Sequence, residues 1–350
     1  MGRRTGVLVG ALALLAMTAC GSDDDGNETS AADDGTDEAT ADDGTDEAAA
    51  DDGWSYVDGS GQETTLDAVP ERIVMHGSSA AALIPLGIRP VGIYADQAVE
   101  EDLALRNLDL DGIEIVGEEW GIVNVEAVAA LQPDLIVAEW WPVEEAYSGL
   151  EEGTGAASQQ LREIAPIAGP AQGPSIHTMI EDYEALATSL GADLDATEVV
   201  ADRERFETAQ ADFTAATEAQ PDLSVLAVSP TPESLYVAVP EESAELADFT
   251  AWGLDIVVPD TPDEGFEYWE TLSWENADKY QADLLIVDQR GYPGNVEQAA
   301  RQPGWSFLKA GAADATAVWP AYWLRNYTDY STALEDLTEA IESADPDLVE

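Results

Sequence analysis

The segments NVEAVAALQPDLIVAEW (Asn124–Trp140) and SWENADKYQADLLIVDQ (Ser273–Gln289) share one pattern at an offset of 149 residues, 273 less 124. Each opens on a small polar residue and places a Glu two positions later. An Ala-bearing stretch, an Asp, a run of Leu, Ile and Val, and an acidic residue follow. Asn124 and Ser273 are helix N-cap types, which puts Glu126 and Glu275 at the second helical position, where a carboxylate is favoured by the helix dipole. The apolar runs are the length of buried strands. A helix followed by a buried strand, written twice, is a sign of a duplicated parallel βα architecture.

The flanking sequence extends both copies in the same order. In the first half, RIVMHG (Arg72–Gly77) reads as a strand, SAAALIPL (Ser79–Leu86) as a helix despite Pro85, closed by Gly87, and PVGIYA (Pro90–Ala95) as a strand. QQLREIAPIAGP (Gln159–Pro170) adds a short helix and strand. In the second half, SVLAVS (Ser224–Ser229), SAELADFTAWG (Ser243–Gly253), LDIVVP (Leu254–Pro259) and WSFLKAGAADATAVWP (Trp305–Pro320) read as strand, helix, strand, then short helix and strand.

Between the halves lies DATEVVADRERFETAQADFTAATEA (Asp195–Ala219). Asp195 with Glu198 resembles a capping box. Val199, Phe206, Ala209, Phe213 and Ala216 form one thin apolar stripe, and Arg203 faces Glu207 one turn on. The segment predicts a helix of about 24 residues, roughly 36 Å long, a strut between two bodies. The fold class expected is α/β: two Rossmann-like βα lobes with parallel-rich central sheets joined by a single long α-helix. The expected boundaries are 54–193 for the N-terminal lobe, 194–219 for the interlobe helix and 220–350 for the C-terminal lobe.

Residues 1–20 stand apart. Arg3 and Arg4 precede an apolar run, Val7–Met17, the length of a signal-peptide core and too short to span a bilayer well. MTACGS (Met17–Ser22) resembles a bacterial lipobox, with Met17 where Leu is commoner. The resemblance implies cleavage before Cys20 and its acylation, hence anchoring to the outer face of the cell membrane. Residues 21–53 are an acidic linker: Ser22–Gly53 carries 14 Asp and Glu and no aromatic residue, and DDGTDEA occurs twice, at Asp33 and Asp42. Such a segment buries no apolar area and is read as a disordered tether. Cys20 is the single cysteine, so the folded part has no disulfide and no catalytic thiol.

The 350 residues carry 72 Asp and Glu against 13 Lys and Arg, a formal charge of −59. That surface repels nucleic acid and anionic lipid, which excludes both as partners. It is read as a device for solubility or for a high-salt habitat. The two histidines, His76 and His177, are too few for a zinc or manganese receptor, so no directly bound metal is expected. Signatures of acyl, phosphoryl and metallohydrolase chemistry are absent from the sequence. The rival reading is a cell-surface enzyme using two of the many carboxylates, for example Glu139 and Asp288.

Taken together, ERIVMHGSSAAALIPLGIRPVGIY (Glu71–Tyr94), VNVEAVAALQPDLIVAEWW (Val123–Trp141), the strut and SWENADKYQADLLIVD (Ser273–Asp288) are similar to the helical-backbone class of substrate-binding lipoproteins. These serve ATP-driven importers of iron–siderophore, haem and cobalamin. The resemblance spans about Pro70 to the C-terminus. It implies a binding function without catalysis and without an intrinsic cofactor. The implied ligand is an Fe(III)-siderophore, with haem or cobalamin as the alternative, and the implied partner is the ABC permease. It also implies that Glu126 and Glu275 pair with permease arginines, one from each lobe. A monomer is expected.

Ligands of open parallel sheets sit beyond the carboxyl ends of the strands. That edge nominates His76, Ser78, Tyr94, Trp120, Trp140 and Trp141 from the first half. From the second it nominates Tyr236, Arg290, Tyr292, Tyr322, Trp323 and Arg325. Aromatic faces stack on an organic shell, and Arg290 or Arg325 offers a planar fork to chelate oxygens. With so few cations, a neutral or cationic hydroxamate chelate fits better than a highly anionic tris-catecholate. Trp274 and Trp305 are assigned to the core.

Overall fold

The computed structural model describes residues 53–151, 154–290 and 293–349. The lipobox with Cys20, nearly all of the acidic linker, and Tyr292 lie outside the described residues. Residues from Asp51 onward form one compact unit.

In the first lobe the chain enters through an antiparallel hairpin, β1 (Trp54–Val57) and β2 (Glu63–Leu66). Strands β3 (Ile73–His76), β4 (Gly92–Ala95), β5 (Glu114–Glu118) and β6 (Leu135–Val137) follow, with helices α1 (Gly77–Leu83) and α2 (Val125–Leu131) between them. A small hairpin, β7 (Trp140–Trp141) and β8 (Ala146–Tyr147), precedes α3 (Ala156–Gln159), α4 (Leu161–Ile164) and β9 (Ile167–Ala168). The sheet runs β5-β4-β3-β6-β9 and is parallel throughout. Its central strands β3, β4 and β6 are buried at every position, as their unbroken apolar runs require. Helix α1 stops at Leu83, short of the Leu86 expected: Ile84 caps it while keeping helical geometry, at φ −61° and ψ −45°, and Pro85 has no N–H to continue the ladder. Gly87 then turns the chain at φ +89°, a conformation glycine adopts without strain.

Helix α5 (Ile176–Ser189) leads to α6 (Thr197–Ala219), the strut. The predicted stripe is the buried face: Val199, Phe206, Ala209, Phe213 and Ala216 are all buried, joined by Thr217. Val199 enters the first lobe's core, and Phe206 through Ala216 enter the second. Two local readings change. Ala196 occupies the N-cap with no side-chain bond, so Asp195 and Glu198 form no capping box. Arg203 reaches across to Glu184 of α5 at 2.5 Å, leaving Glu207 exposed on the far side. A half-buried carboxylate on a neighbouring helix holds Arg203 better than an exposed one on its own.

In the second lobe, β10 (Ser224–Pro230), β11 (Ser234–Ala238), helix α7 (Ala244–Ala251), β12 (Asp255–Ile256), β13 (Trp269–Ser273) and β14 (Leu284–Asp288) come in order. Helix α8 (Gly294–Ala299), α9 (Lys309–Ala312), β15 (Thr316–Trp319) and α10 (Tyr327–Ser343) complete it. The parallel part runs β12-β10-β14-β15, the same order as β4-β3-β6-β9 in the first lobe. The duplication is incomplete at the edge: β11 and β13 extend the sheet as antiparallel strands, where the first lobe adds parallel β5. The segment read as a helix after Ser273 is a 3-10 turn, Trp274–Lys279, interrupted at Asn276 (φ −115°), and Ser273 makes no side-chain cap.

Helix α10 packs along α6, so the strut is braced rather than free-standing. Phe206 meets Tyr327 and Tyr330 of α10 at centroid distances of 5.3 and 5.1 Å. Phe213 meets Phe249 of α7 at 5.5 Å and has no exposed surface. Phe213→Ala is expected to cost about 3–5 kcal/mol in equilibrium denaturant unfolding, while Glu207→Ala on the exposed face stays within about 0.5 kcal/mol. Equal effects would show that the stripe carries no packing energy.

Candidate functional site

The carboxyl ends of β6 and β14 bring equivalent carboxylates to the interlobe edge. Glu139 follows β6 and Asp288 ends β14, both almost wholly buried. Each binds an arginine, and the two pairs differ. Arg325, from the loop before α10, reaches across to Glu139 with Nε to Oε1 at 2.5 Å and Nη2 to Oε2 at 3.1 Å. Both side chains are buried, and the pair is bidentate, the strongest geometry open to it. Tyr183 of α5 donates to Glu139 Oε1 at 3.1 Å and meets Ser79 of α1 at 2.9 Å. Arg325 Nη1 donates to the Leu324 carbonyl at 2.6 Å. Arg325 thus fastens the two lobes rather than standing on the ligand wall, a partner choice that no local sequence signal carries.

Arg290 is the other case. It donates to Asp288 through Nε and Nη2, the latter at 2.7 Å, but stays half exposed and lies 4.9 Å over the Tyr322 ring. Around Tyr322 stands a nest of rings. Trp319 is at 5.8 Å, Trp269 at 6.3 Å and Tyr268 at 6.5 Å from it, and Tyr236 lies 6.0 Å from Trp269. Trp269 and Tyr268 are residues the sequence reading missed. They sit on and before the antiparallel strand β13, an addition with no counterpart in the first copy. Trp323 donates to Gln289 at 3.1 Å and carries Arg106 of the first lobe over its ring at 5.6 Å, so it packs between the lobes.

On the first lobe, His76 ends β3 and caps α1. Its Nδ1 lies 2.9 Å from Ser78 Oγ and its Nε2 3.3 Å from Asp96 Oδ2. Burial works against the charged imidazole, yet the Asp96 carboxylate beside it prevails and holds His76 above its ordinary value. Desolvation opposes the Asp96 charge too, and His76 nevertheless brings it below the usual carboxylate range. Tyr94 is placed in the core rather than on the wall: it is 2% exposed, donates to the Ser148 carbonyl at 3.1 Å and meets the His76 ring edge at 5.2 Å. Trp140 rests against Tyr147 at 5.1 Å, half-buried, and Trp141 is half-buried beside it. Trp120 is 48% exposed in the loop after β5. Trp305 is buried against the half-buried Trp274, as assigned.

Glu126 and Glu275 are both exposed, each in the first turn of the segment that follows a strand, β5 and β13 respectively. Asn124 caps α2 by accepting from Ala127 N–H at 3.1 Å, and Glu126 occupies the first turn as read. His177 lies in α5 with its ring 5.0 Å from Phe206. Among the described residues no cluster of three His, Cys, Asp or Glu side chains is arranged to hold a metal ion. A groove of about 410 Å³ lined by Val69, Pro70, Ile88 and Arg89 lies at the amino ends of the first lobe's strands. It has none of the rings gathered at the opposite edge, which is where parallel sheets bind ligands.

Residues 95–322 match the family model described as Periplasmic binding protein. Among solved structures, the chain is 30% identical to DesE, a ferric-siderophore receptor protein from Streptomyces coelicolor, over 83% of this chain and 99% of that one, with a TM-score of 0.75. It shares the fold of the siderophore periplasmic binding protein from the fuscachelin gene cluster of Thermobifida fusca, at 20% identity over 79% of this chain and 97% of that one, TM-score 0.56. It also shares the fold of FhuD2 from Staphylococcus aureus with bound ferrioxamine B, at 19% identity over 78% of this chain and 98% of that one, TM-score 0.54. No curated protein matches the chain.

Arg325→Met alone leaves Glu139 buried and unpaired and is expected to cost about 3–5 kcal/mol in urea unfolding, with Glu139→Leu in the same chain restoring most of it. If the double variant is no more stable than the single, the pair does not fasten the lobes as described.

Proposed function

The chain belongs to the periplasmic binding protein family, and from that premise we propose that it captures a ferric siderophore between its lobes and delivers it to the permease of an ATP-driven importer. Members of the family are ligand-binding transport proteins, not enzymes, and act outside the cytoplasm. The observation that carries the proposal is the 30% identity, over nearly the whole of its length, to a ferric-siderophore receptor. The half-buried Tyr236, Tyr268 and Tyr322 of the second lobe agree with it, while Trp269 and Trp319 of the same nest are buried in the core. Large aromatic faces suit the organic shell of a chelate and leave the iron's own coordination untouched.

A hydroxamate chelate is favoured. With Arg325 committed to Glu139, Arg290 is left as the half-exposed cation of this wall, against a formal charge of −59 over the chain. A strongly anionic ligand would meet repulsion on approach. Ser78, Trp120, Trp140, Trp141, Tyr236 and Tyr322 complete the proposed wall. Fluorescence quenching of the intrinsic tryptophans is expected to show tight binding of ferric hydroxamates and weaker binding of ferric catecholates, haem and cobalamin. Preference for haem or cobalamin would overturn the siderophore reading.

Glu126 and Glu275 are proposed to engage permease arginines, one per lobe. Exposed ion pairs are individually weak, so the two set register more than affinity. Cys20, through its lipid, is proposed to hold the protein at the outer face of the membrane and raise its concentration near the permease. No helix among the described residues is long and apolar enough to cross a membrane. Glu126→Ala with Glu275→Ala is expected to abolish cellular uptake while chelate affinity measured by quenching is unchanged; loss of chelate binding would defeat the docking assignment.

A further inference from the structure

The β1–β2 hairpin lies ahead of the residues that match the family model. Its root is fixed by Trp54, which is buried and donates to Ser189 Oγ at 3.1 Å. Its tip turns on Asp58, also buried, whose two carboxylate oxygens have different partners. Oδ1 closes the turn, accepting from the backbone N–H of Ser60 at 2.9 Å and of Gln62 at 3.1 Å. Oδ2 leaves the hairpin and accepts from the hydroxyl of Tyr147 on β8. Closing the turn needs only one oxygen; the second is given to Tyr147.

Tyr147 is buried and pairs with Trp140 across β7 and β8, their rings meeting edge-on at 5.1 Å. Arg162 lies over the Tyr147 ring at 5.4 Å, so its hydroxyl, face and edge are all held. The backbone of Trp140 is tied to the same hairpin tip. Its N–H donates to the Pro170 carbonyl at 2.9 Å, and its carbonyl accepts from the Gln172 N–H at 2.7 Å. The Gly59 N–H donates to the Gly169 carbonyl at 2.9 Å, and a Cβ at Gly59 would collide with the Ala171 backbone. Ring and backbone of the half-buried Trp140 thus both lead back to Asp58 and Gly59. We propose that Asp58 is a positioning residue for chelate binding: through Tyr147 it fixes the Trp140 ring in the pose that meets the ligand. A ring already fixed has less rotamer freedom to lose on binding, so freeing it weakens affinity. This deepens the receptor function proposed above and rests on it.

The test titrates the full chain, Tyr147→Phe and Asp58→Ala by calorimetry, each with and without Trp140→Ala. The probe is ferrioxamine B, or a ferric tris-catecholate if the unaltered protein binds that more tightly. Tyr147→Phe and Asp58→Ala are each expected to weaken binding by about fivefold, and Trp140→Ala by at least as much. In the Trp140→Ala background neither is expected to weaken it further, a coupling that general loosening of the lobe would not produce. Losses that persist undiminished without the Trp140 ring, or no loss from Tyr147→Phe or from Trp140→Ala, overturn the proposal and leave the receptor function standing. Failure of the unaltered protein to bind either probe removes the receptor function and this proposal with it. Should Asp58→Ala fail to fold, Tyr147→Phe decides alone, because it removes only the hydroxyl and keeps the ring between Arg162 and Trp140; unmoved affinity there overturns the proposal.

Discussion

The buried pair of Glu139 and Arg325 is the contact that makes two lobes into one receptor. Withdrawing either charge from water costs several kcal/mol, and the attraction between them repays this only with good geometry and every remaining donor and acceptor engaged. The geometry is good, and each nitrogen and oxygen of the two charged groups has a partner. The fork is bidentate, Tyr183 supplies a further donor to the carboxylate, and the Leu324 carbonyl takes up Nη1. The pair joins the carboxyl edge of one sheet to the loop that enters α10. Around it, Asn326 donates to the Ala81 carbonyl at 3.2 Å and Asn107 to Asp329 at 3.1 Å.

The same loop carries part of the proposed ligand wall. Trp319 ends β15, and Tyr322, Trp323 and Arg325 follow within six residues. Ring, interlobe wedge and interlobe cation therefore share one short stretch of backbone, fixed at one end by the sheet and at the other by α10. Asp288 and Glu139, at equivalent strand ends, have taken different roles with similar chemistry: one arginine is spent inside and the other is held half in solvent. The duplication supplied two equivalent strand ends, and the choice of partner buried one arginine and left the other half exposed.

What the sequence made legible is what is local. The stripe Val199, Phe206, Ala209, Phe213 and Ala216 is buried residue for residue, because helical periodicity needs only its own twenty-odd residues to be read. The unbroken apolar runs of β3, β4, β6 and β14 announced buried parallel strands in the same way. What stayed hidden depends on distance along the chain. Arg203 pairs with Glu184, 19 residues away, rather than with the Glu207 beside it. Arg325 finds Glu139 across 186 residues. The turn after Ser273 keeps the wording of a helix but breaks at Asn276, and the ring nest draws Trp269 and Tyr268 from an antiparallel strand that the first half does not possess.

Helix α6 enters both cores and is braced by α10, so swinging one lobe against the other would pull Val199 from the first core and strain the buried Glu139–Arg325 pair. Under the function proposed here, a molecule built this way would surrender little affinity to populating a competent shape. The debt falls due at release. A cradle that does not yawn open of its own accord must be levered apart from outside, and under the function proposed here that effort belongs to the importer and the ATP it consumes.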